Sequence, residues 1–296
     1  MITPLPILIE QCSMYLPLVI GAFMSFSLLK VPNLCLESAF LMGGICSHLA
    51  LSAASPLPIL VRLFIGIIAG LAGGALVGLT CSLIITRGRI AYLLANIVTL
   101  GLFSGITLFL LGGPYVALEA KEAVLTLLPL QHHPELVSIC FIAALCLLAI
   151  LFLLRTPLGK SIMVYGNNPL FFDYHHISAP FVLTGGLTLS NALAGLSGFL
   201  TTQTNGFLDI NGPNGIVLFC LAALILGKMR LRPTSPFVMV QPAMGLLILC
   251  IIQQLLVMLG IQLTYFTSIS SLIILSIVLF ARGKNGPLLP TDQLGV

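Results

Sequence analysis

Long apolar runs broken by short polar clusters dominate the chain. They fall at about 7–29, 34–53, 57–85, 90–111, 135–154, 179–202, 214–228, 236–259 and 264–281. A helix needs about 20 mostly apolar residues to cross a bilayer, and several of these runs reach that length. Strands of a membrane barrel alternate apolar and polar positions. Continuous runs instead predict an all-α, polytopic transmembrane helical bundle of about nine segments. The third run is long enough to tilt or to extend past the hydrocarbon. The second and seventh open on polar and Gly-rich residues, which predicts re-entrant or broken helices.

Composition agrees. Of 296 residues 58% are hydrophobic and 7% charged, against about 25% charged in soluble domains. With a mean hydropathy of +1.16, the chain cannot cover a water-facing surface and is an integral protein of the lipid bilayer. MITPLPILIEQ carries no Lys or Arg before the first run, unlike the basic start of a cleavable signal peptide. The net charge of +4 comes from clustered loop cations, with no sign of nucleic-acid binding. The eight cysteines form no C-x-x-C and lie almost all within apolar runs. They read as small buried side chains.

Cations orient the chain, because cytoplasmic loops are enriched in Lys and Arg. With alternating segments and a cytoplasmic C-terminus, the inside loops hold Lys30, Arg87, Arg89, Arg155, Lys160, Lys228, Arg230, Arg232, Arg282 and Lys284. The outside loops hold Arg62 and Lys121. Ten against two places the N-terminus outside. The outside loop 112–134, with Glu119, Lys121, Glu122, His132 and His133, reads as a short surface helix or a landing place for an external partner.

One transmembrane domain spans 1–296, with pseudo-repeat halves at about 7–154 and 179–282 and a cytoplasmic loop 155–178 between them. VPNLCLESAFLMGG (31–44) and GFLDINGPNGIVLFCLAAL (206–224) share Asn, Gly, Pro and one acid. In this topology they enter from opposite sides, as in an inverted repeat whose interrupted helices meet at a central pathway.

Gly66, Gly70, Gly74 and Gly78 recur every four residues, along one helix face. In lipid, small residues let backbones approach, so this is a helix-packing groove, within one subunit rather than between two. Glu37 is a carboxylate inside the second segment, where charge is costly and faces a cavity or a partner. Asp209 sits in the matching stretch of the second half. With Asn33, Asn96, Asn191, Gln203, Asn205, Asn211 and Asn214, these groups either line a path for a small polar solute or bind backbone groups freed at helix breaks.

Three motifs suggest chemistry. Gly159-Lys160-Ser161 ends like a phosphate-binding loop, but that loop needs a glycine where Leu154 stands, and a preceding strand. Gly195-Leu196-Ser197-Gly198 matches the G-x-S-G of rhomboid-type intramembrane proteases. A nucleophilic serine needs a base in reach, and no histidine follows Ser197. His132-His133 and His175-His176 lack Cys or carboxylate partners at ligand spacing. Adjacent residues on a helix point about 100° apart. No metal site and no catalytic residue is assigned.

The loop 155–178 runs RTPLGKSIMVYGNNPLFFDYHHIS. Asn167-Asn168-Pro169 reads as a helix start, Asn capping exposed N–H groups and Pro fitting the first turn. Large apolar side chains at 170, 171, 172, 174 and 177 call for a membrane surface or a soluble partner to pack on.

R-T-P-L-G-K-x-x-x-x-x-G-N-N-P resembles the cytoplasmic loop of ABC importer permeases of the branched-chain amino acid and ribose class. VPNLCLESAFLMGG and LSNALAGLSGFLTTQTNGFLDINGPNGIVL are similar to stretches of that family's tryptophan/tyrosine-type branch. The resemblance covers about 15–280. It implies an inner-membrane permease of bacteria that moves a small polar solute, an amino acid and in that branch an aromatic one, by alternating access. The implied pathway residues are Asn33, Glu37, Ser38, Asn96, Asn191, Gln203, Asp209 and Asn211. The implied ATPase-coupling residues are Gly159, Lys160, Gly166, Asn167, Asn168, Pro169, Phe171 and Phe172. Implied partners are ABC ATPase subunits holding ATP and Mg, a second permease chain forming a homodimer, and an extracytoplasmic solute-binding protein. The chain itself holds no cofactor.

The sequence departs from the family pattern in places. Phe171, Phe172 and Asp173 replace small residues, His176-Ile177 replaces Gly-Ile, and Asn33 and Glu37 replace an Asp pair. A permease for another solute (sugar, nucleoside or metal) and an ion-gradient-driven secondary transporter remain open readings.

Overall fold

A computed structural model of the chain describes residues 4–119, 122–127, 134–168, 170–174, 178–230 and 240–260, with helical fragments at 268–269, 271–272 and 274–275. It is a polytopic helical bundle. In chain order come α1 (Pro4–Phe23), running into a π-helical turn at Met24–Leu28, then α2 (Leu36–Ala53), α3 (Ile59–Gly88) and α4 (Tyr92–Leu111). After β1 (Tyr115–Ala117) follow α5 (Pro134–Arg155), α6 (Pro157–Asn167), α7 (Leu170–Tyr174) and α8 (Ala179–Asn205). β2 (Phe207–Asp209), α9 (Ile216–Arg230) and α10 (Val240–Met258) complete it.

Among the described residues seven helices are long and apolar enough to cross a membrane. They match the first six expected segments and the eighth. α9, with 15 residues, is shorter than a full crossing, as its polar approach predicts. The ninth expected segment, 264–281, lies almost wholly outside the described residues. α3 has 30 residues, about 45 Å at 1.5 Å per residue, and so exceeds the ~30 Å hydrocarbon layer.

The centre of the bundle is a three-helix crossing of α2, α3 and α8. Lipid tails are as apolar as leucine, so burial of apolar surface does not drive helices together; close packing and hydrogen bonds do. The glycine stripe of α3 supplies the packing. A Cβ on Gly66 would meet the Phe199 ring at 2.8 Å, one on Gly70 the Phe199 Cβ at 2.9 Å, and one on Gly78 the Leu187 carbonyl at 2.7 Å. One on Gly74 would run into the Asn191 carbonyl. All four therefore face α8 within the same chain. α8 answers with Gly195, wedged against Gly43 of α2 and against Gly70 and Gly74 of α3, and with Gly198 against the Phe40 carbonyl of α2. Ser197 donates to the Met14 carbonyl of α1 at 2.5 Å, so the G-x-S-G stretch is a helix contact.

α1, α5, α9 and α10 close the other side. Tyr15 of α1 packs on Phe219 of α9 with centroids 5.2 Å apart. Gly227 of α9 and Gly245 of α10 each press on the partner helix's backbone. The eight cysteines are free thiols. Phe64, Phe109, Phe141 and Phe152 stand exposed on the outer faces of α3, α4 and α5, where lipid covers them.

α4 and α8 each end on a left-handed glycine, Gly112 and Gly206, with φ of 69° and 72°. Beyond these caps β1 and β2 pair antiparallel, Tyr115 opposite Asp209 and Ala117 opposite Phe207. This two-stranded ribbon puts both helix ends on one side of the bundle.

The described part of the 112–134 loop is no surface helix. It folds back onto the bundle: Val124 and Leu125 are fully buried, and Val124 N donates to Gln203 Oε1 at 2.8 Å. Glu122 Oε2 accepts from Glu119 N at 3.1 Å and lies 3.1 Å from His48 Nδ1 of α2. Arg62, expected in an outside loop, is in the first turns of α3 and buried. Lys121, His132, His133, His175, His176 and Pro169 lie outside the described residues.

Candidate functional site

Between the π-helical turn and α2 the chain reverses through residues 29–35 without a helix. Lys30 takes a left-handed φ of 55°. Irregular backbone in a membrane protein must find its hydrogen bonds inside the protein, and two asparagines provide them. Asn96 Oδ1 accepts from Leu34 N at 3.0 Å and Cys35 N at 3.3 Å. Its Nδ2 donates to the Pro32 carbonyl at 2.9 Å and to its own helix at Tyr92 O. Asn33 Oδ1 accepts from Cys35 N at 3.1 Å, and its Nδ2 donates to Ser190 Oγ at 3.4 Å. Ser190 Oγ in turn donates to Gly21 O.

Asn33 and Asn96 thus hold the break before α2. Leaving one buried polar group unpaired costs about 1–3 kcal/mol, and Asn96→Ala strands the Leu34 N–H and the Pro32 carbonyl, while Cys35 N keeps Asn33 Oδ1. We expect it to destabilise the purified protein by about 3 kcal/mol or more, seen as a lowered melting temperature in detergent. An unchanged melt would show the break is held otherwise.

The break aims the start of α2 at the start of α9. Glu37 Oε1 accepts from Gly215 N at 2.9 Å, capping α9 from another helix. The N-terminus of a helix carries partial positive charge that a carboxylate stabilises.

Beside this contact lies a cavity of about 200 Å³. Its polar lining is Glu37 and Ser38 from α2, Ser104 and Thr107 from α4, and Asn211 and Asn214 from the turn before α9. Leu41, Leu100, Ile210 and Pro213 complete the wall. Glu37, Ser38 and Asn211 are thus brought together by the structure. Asp209 stands next to the cavity at the end of β2, with its Oδ1 accepting from Asn211 N at 2.9 Å. Asn191 and Gln203 lie on α8 within the bundle, Asn191 Nδ2 donating to the Leu187 carbonyl. Ser104 and Thr107 escaped the sequence reading because hydroxyls are ordinary in membrane helices. Only their spacing of three, one helical turn, put them on one face.

A second group of residues gathers at the opposite end from the β-ribbon. α5 turns sharply into α6 at Gly159, whose Cα faces the Leu153–Leu154 backbone. Thr156 caps α6, accepting from Gly159 N at 3.5 Å, with Pro157 in the first turn. Gly159-Lys160-Ser161 is therefore helical and preceded by α5. At the far end of α6, Gly166 abuts the Leu28 carbonyl of the π-helical turn. Asn167 Oδ1 accepts from Lys30 Nζ at 2.8 Å. The chain turns at Asn168, whose carbonyl accepts from Phe171 N at 3.2 Å.

In α7 Phe172 is buried against Tyr165 of α6, with centroids 6.0 Å apart, while Phe171 stacks edge-on to it at 5.7 Å. Tyr165 OH lies 3.3 Å from Tyr92 OH. Burial and that neighbour push the Tyr165 phenol up, so it stays protonated. Phe171 and Tyr174 are exposed at 38% and 81%. A two-helix foot with two exposed aromatic rings, Phe171 and Tyr174, projects here, anchored to the turn that leads into α2. The sequence placed a helix start at Asn167-Asn168 but not the helix α6 before it.

Comparison with known proteins finds that the branched-chain amino acid transport system permease component family matches residues 7–281. An uncharacterized protein of Rickettsia prowazekii (strain Madrid E) is 28% identical over 221 residues, 74% of this chain and 75% of that protein. A tyrosine transport system permease protein of Clostridioides difficile (strain R20291) is 25% identical over 208 residues, 70% of this chain and 67% of that protein. An autoinducer 2 import system permease protein of Yersinia pseudotuberculosis (serotype O:1b, strain IP 31758) is 27% identical over 222 residues, 75% of this chain and 60% of that protein. No solved structure gives a significant match.

Proposed function

We propose that this chain, which belongs to the family of permease components of branched-chain amino acid transport systems, is the membrane-spanning subunit of an ATP-driven importer for a small polar solute of the amino acid class. The observation that carries this reading is the α6–α7 foot, joined to the π-helical turn by Gly166 and by the Lys30–Asn167 hydrogen bond. The foot docks on a separate ABC ATPase subunit, which holds ATP and Mg. Two permease chains, two ATPases and an extracytoplasmic solute-binding protein make the transporter. The chain lies in the bacterial inner membrane with its foot in the cytoplasm and its N-terminus outside. The β-ribbon then faces outward.

The connections support alternating access. ATP binding moves the foot. The π-helical turn and residues 29–35 follow it, and Asn33 and Asn96 carry the displacement to the start of α2. Glu37 then loosens or tightens on α9, opening the cavity to one side or the other. The nucleotide shifts this equilibrium only to the extent that it binds the two states unequally. α2 and α9 act as the paired interrupted helices of two inverted halves, 7–154 and 179–282.

Purification of the tagged chain from native membranes in mild detergent tests the reading. A stoichiometric ATP-binding-cassette subunit is expected to accompany it. A complex without an ATPase would leave a gradient-driven transporter.

A further inference from the structure

We infer that Arg62 and Gln203 form a binding site for a small carboxylate at the β-ribbon end of the α2–α3–α8 crossing, beneath residues 122–127. The site is independent of the importer reading, and retention or loss of an ATPase bears on that reading alone.

Arg62 points inward from the first turn of α3 and is 6% exposed. A charged side chain at membrane depth is costly and calls for a partner. Among the described residues neither its Nε nor its Nη2 has a hydrogen-bond partner, although both atoms are buried. These two nitrogens form one edge of the guanidinium, whose parallel N–H groups match the two oxygens of a carboxylate.

A third unmatched donor lies at the same level. Gly66 and Gly70 of α3 meet Phe199 of α8, and Gly78 meets Leu187, so the two helices run antiparallel. Arg62, one turn before Gly66, therefore comes level with Gln203, one turn beyond Phe199. Gln203 is 3% exposed. Its Oε1 accepts from Val124 N, which fixes the orientation of the amide and leaves Nε2 buried without a partner.

The carboxylate already present does not answer Arg62. Glu122 is turned to His48 Nδ1, at 3.1 Å, and to Glu119 N. Among the described residues its ion pair is with His48. The layer thus holds two basic groups and one carboxylate. Water satisfies the three donors but leaves the charge unpaired. Chloride meets the charge but offers a single atom to a two-pronged edge. A carboxylate meets both. Residues 122–127 lie over the layer, with Val124 and Leu125 fully buried, so the ligand is as small as formate or acetate.

Melting of the full-length chain in lipid nanodiscs tests the site, at constant ionic strength, with sodium formate, sodium chloride or formamide as the probe. Formamide has the shape of formate without its charge. Formate should give a saturable rise in melting temperature, about 3 °C at tenfold above its Kd; chloride and formamide should give none. Arg62→Lys keeps the charge but lacks the fork, and should weaken formate by about tenfold or more.

An equal rise with chloride or formamide, no saturable response to formate, or an unchanged formate affinity in Arg62→Lys would overturn the inference. Should Arg62→Lys not fold, hydrogen exchange on the unaltered chain decides. Slowing at 122–127 by formate, and not by chloride or formamide, upholds the site; slowing elsewhere only, or none, removes it.

Discussion

Gly195→Leu is expected to abolish the folded protein, whereas Gly185→Leu on the same helix leaves it intact. Gly195 faces backbone on two sides, with the amide of Gly74 2.8 Å from where its Cβ would be and Gly43 of α2 equally close-packed. Overpacking a core costs about 1–3 kcal/mol where side chains can yield. Here the obstacles are main-chain atoms of two helices, so α2 or α3 must leave its place and the loss should exceed about 3 kcal/mol. Gly185 has nothing within 4 Å among the described residues, so a leucine there meets no helix of the described bundle. Size-exclusion profiles and melting curves of the two variants give the comparison. Similar behaviour of both would mean that the crossing is looser than described.

Phe171→Asp should separate insertion from transport. Phe171 is exposed at the tip of the foot, while its neighbour Phe172 is buried in it. Exposed aromatic anchors often account for about 2 kcal/mol or more of an interface, a factor of about 30 in affinity. A carboxylate in an apolar groove adds a desolvation cost. The variant should reach the membrane at normal levels, melt normally, fail to hold the ATPase and lose uptake. Phe172→Asp should lose the foot itself and lower the melting temperature. Normal uptake by Phe171→Asp would remove the foot from the coupling path.

The sequence was most legible where physics is local. Continuous apolar runs marked the membrane helices within a few residues, and the polar approach to α9 marked it as short. The four-residue glycine period gave the α3 face, and the structure supplies its partner, α8. α6 was obscured because Gly159, Lys160 and Ser161 resemble a loop, although Thr156-Pro157 is a good helix start. Roles that depend on distant backbone were not legible. Asn33 and Asn96 look alike in sequence to Asn211, yet two bind a helix break and one lines a cavity. Ser104 and Thr107 gain meaning only once α4 is seen to set them on the wall of that cavity. The folding of residues 122–127 onto Gln203 and His48 depends on contacts some 80 positions away in one case, beyond any local pattern.

Photo-crosslinking from the foot tests the central claim most directly. A benzoylphenylalanine at position 171 is activated by light in intact cells, and the same probe at Phe109, exposed at 85% on α4, serves as the comparison. The account expects an ATP-binding-cassette ATPase to be captured from 171 and not from 109. Capture of lipid alone from 171, with no ATPase, would contradict it.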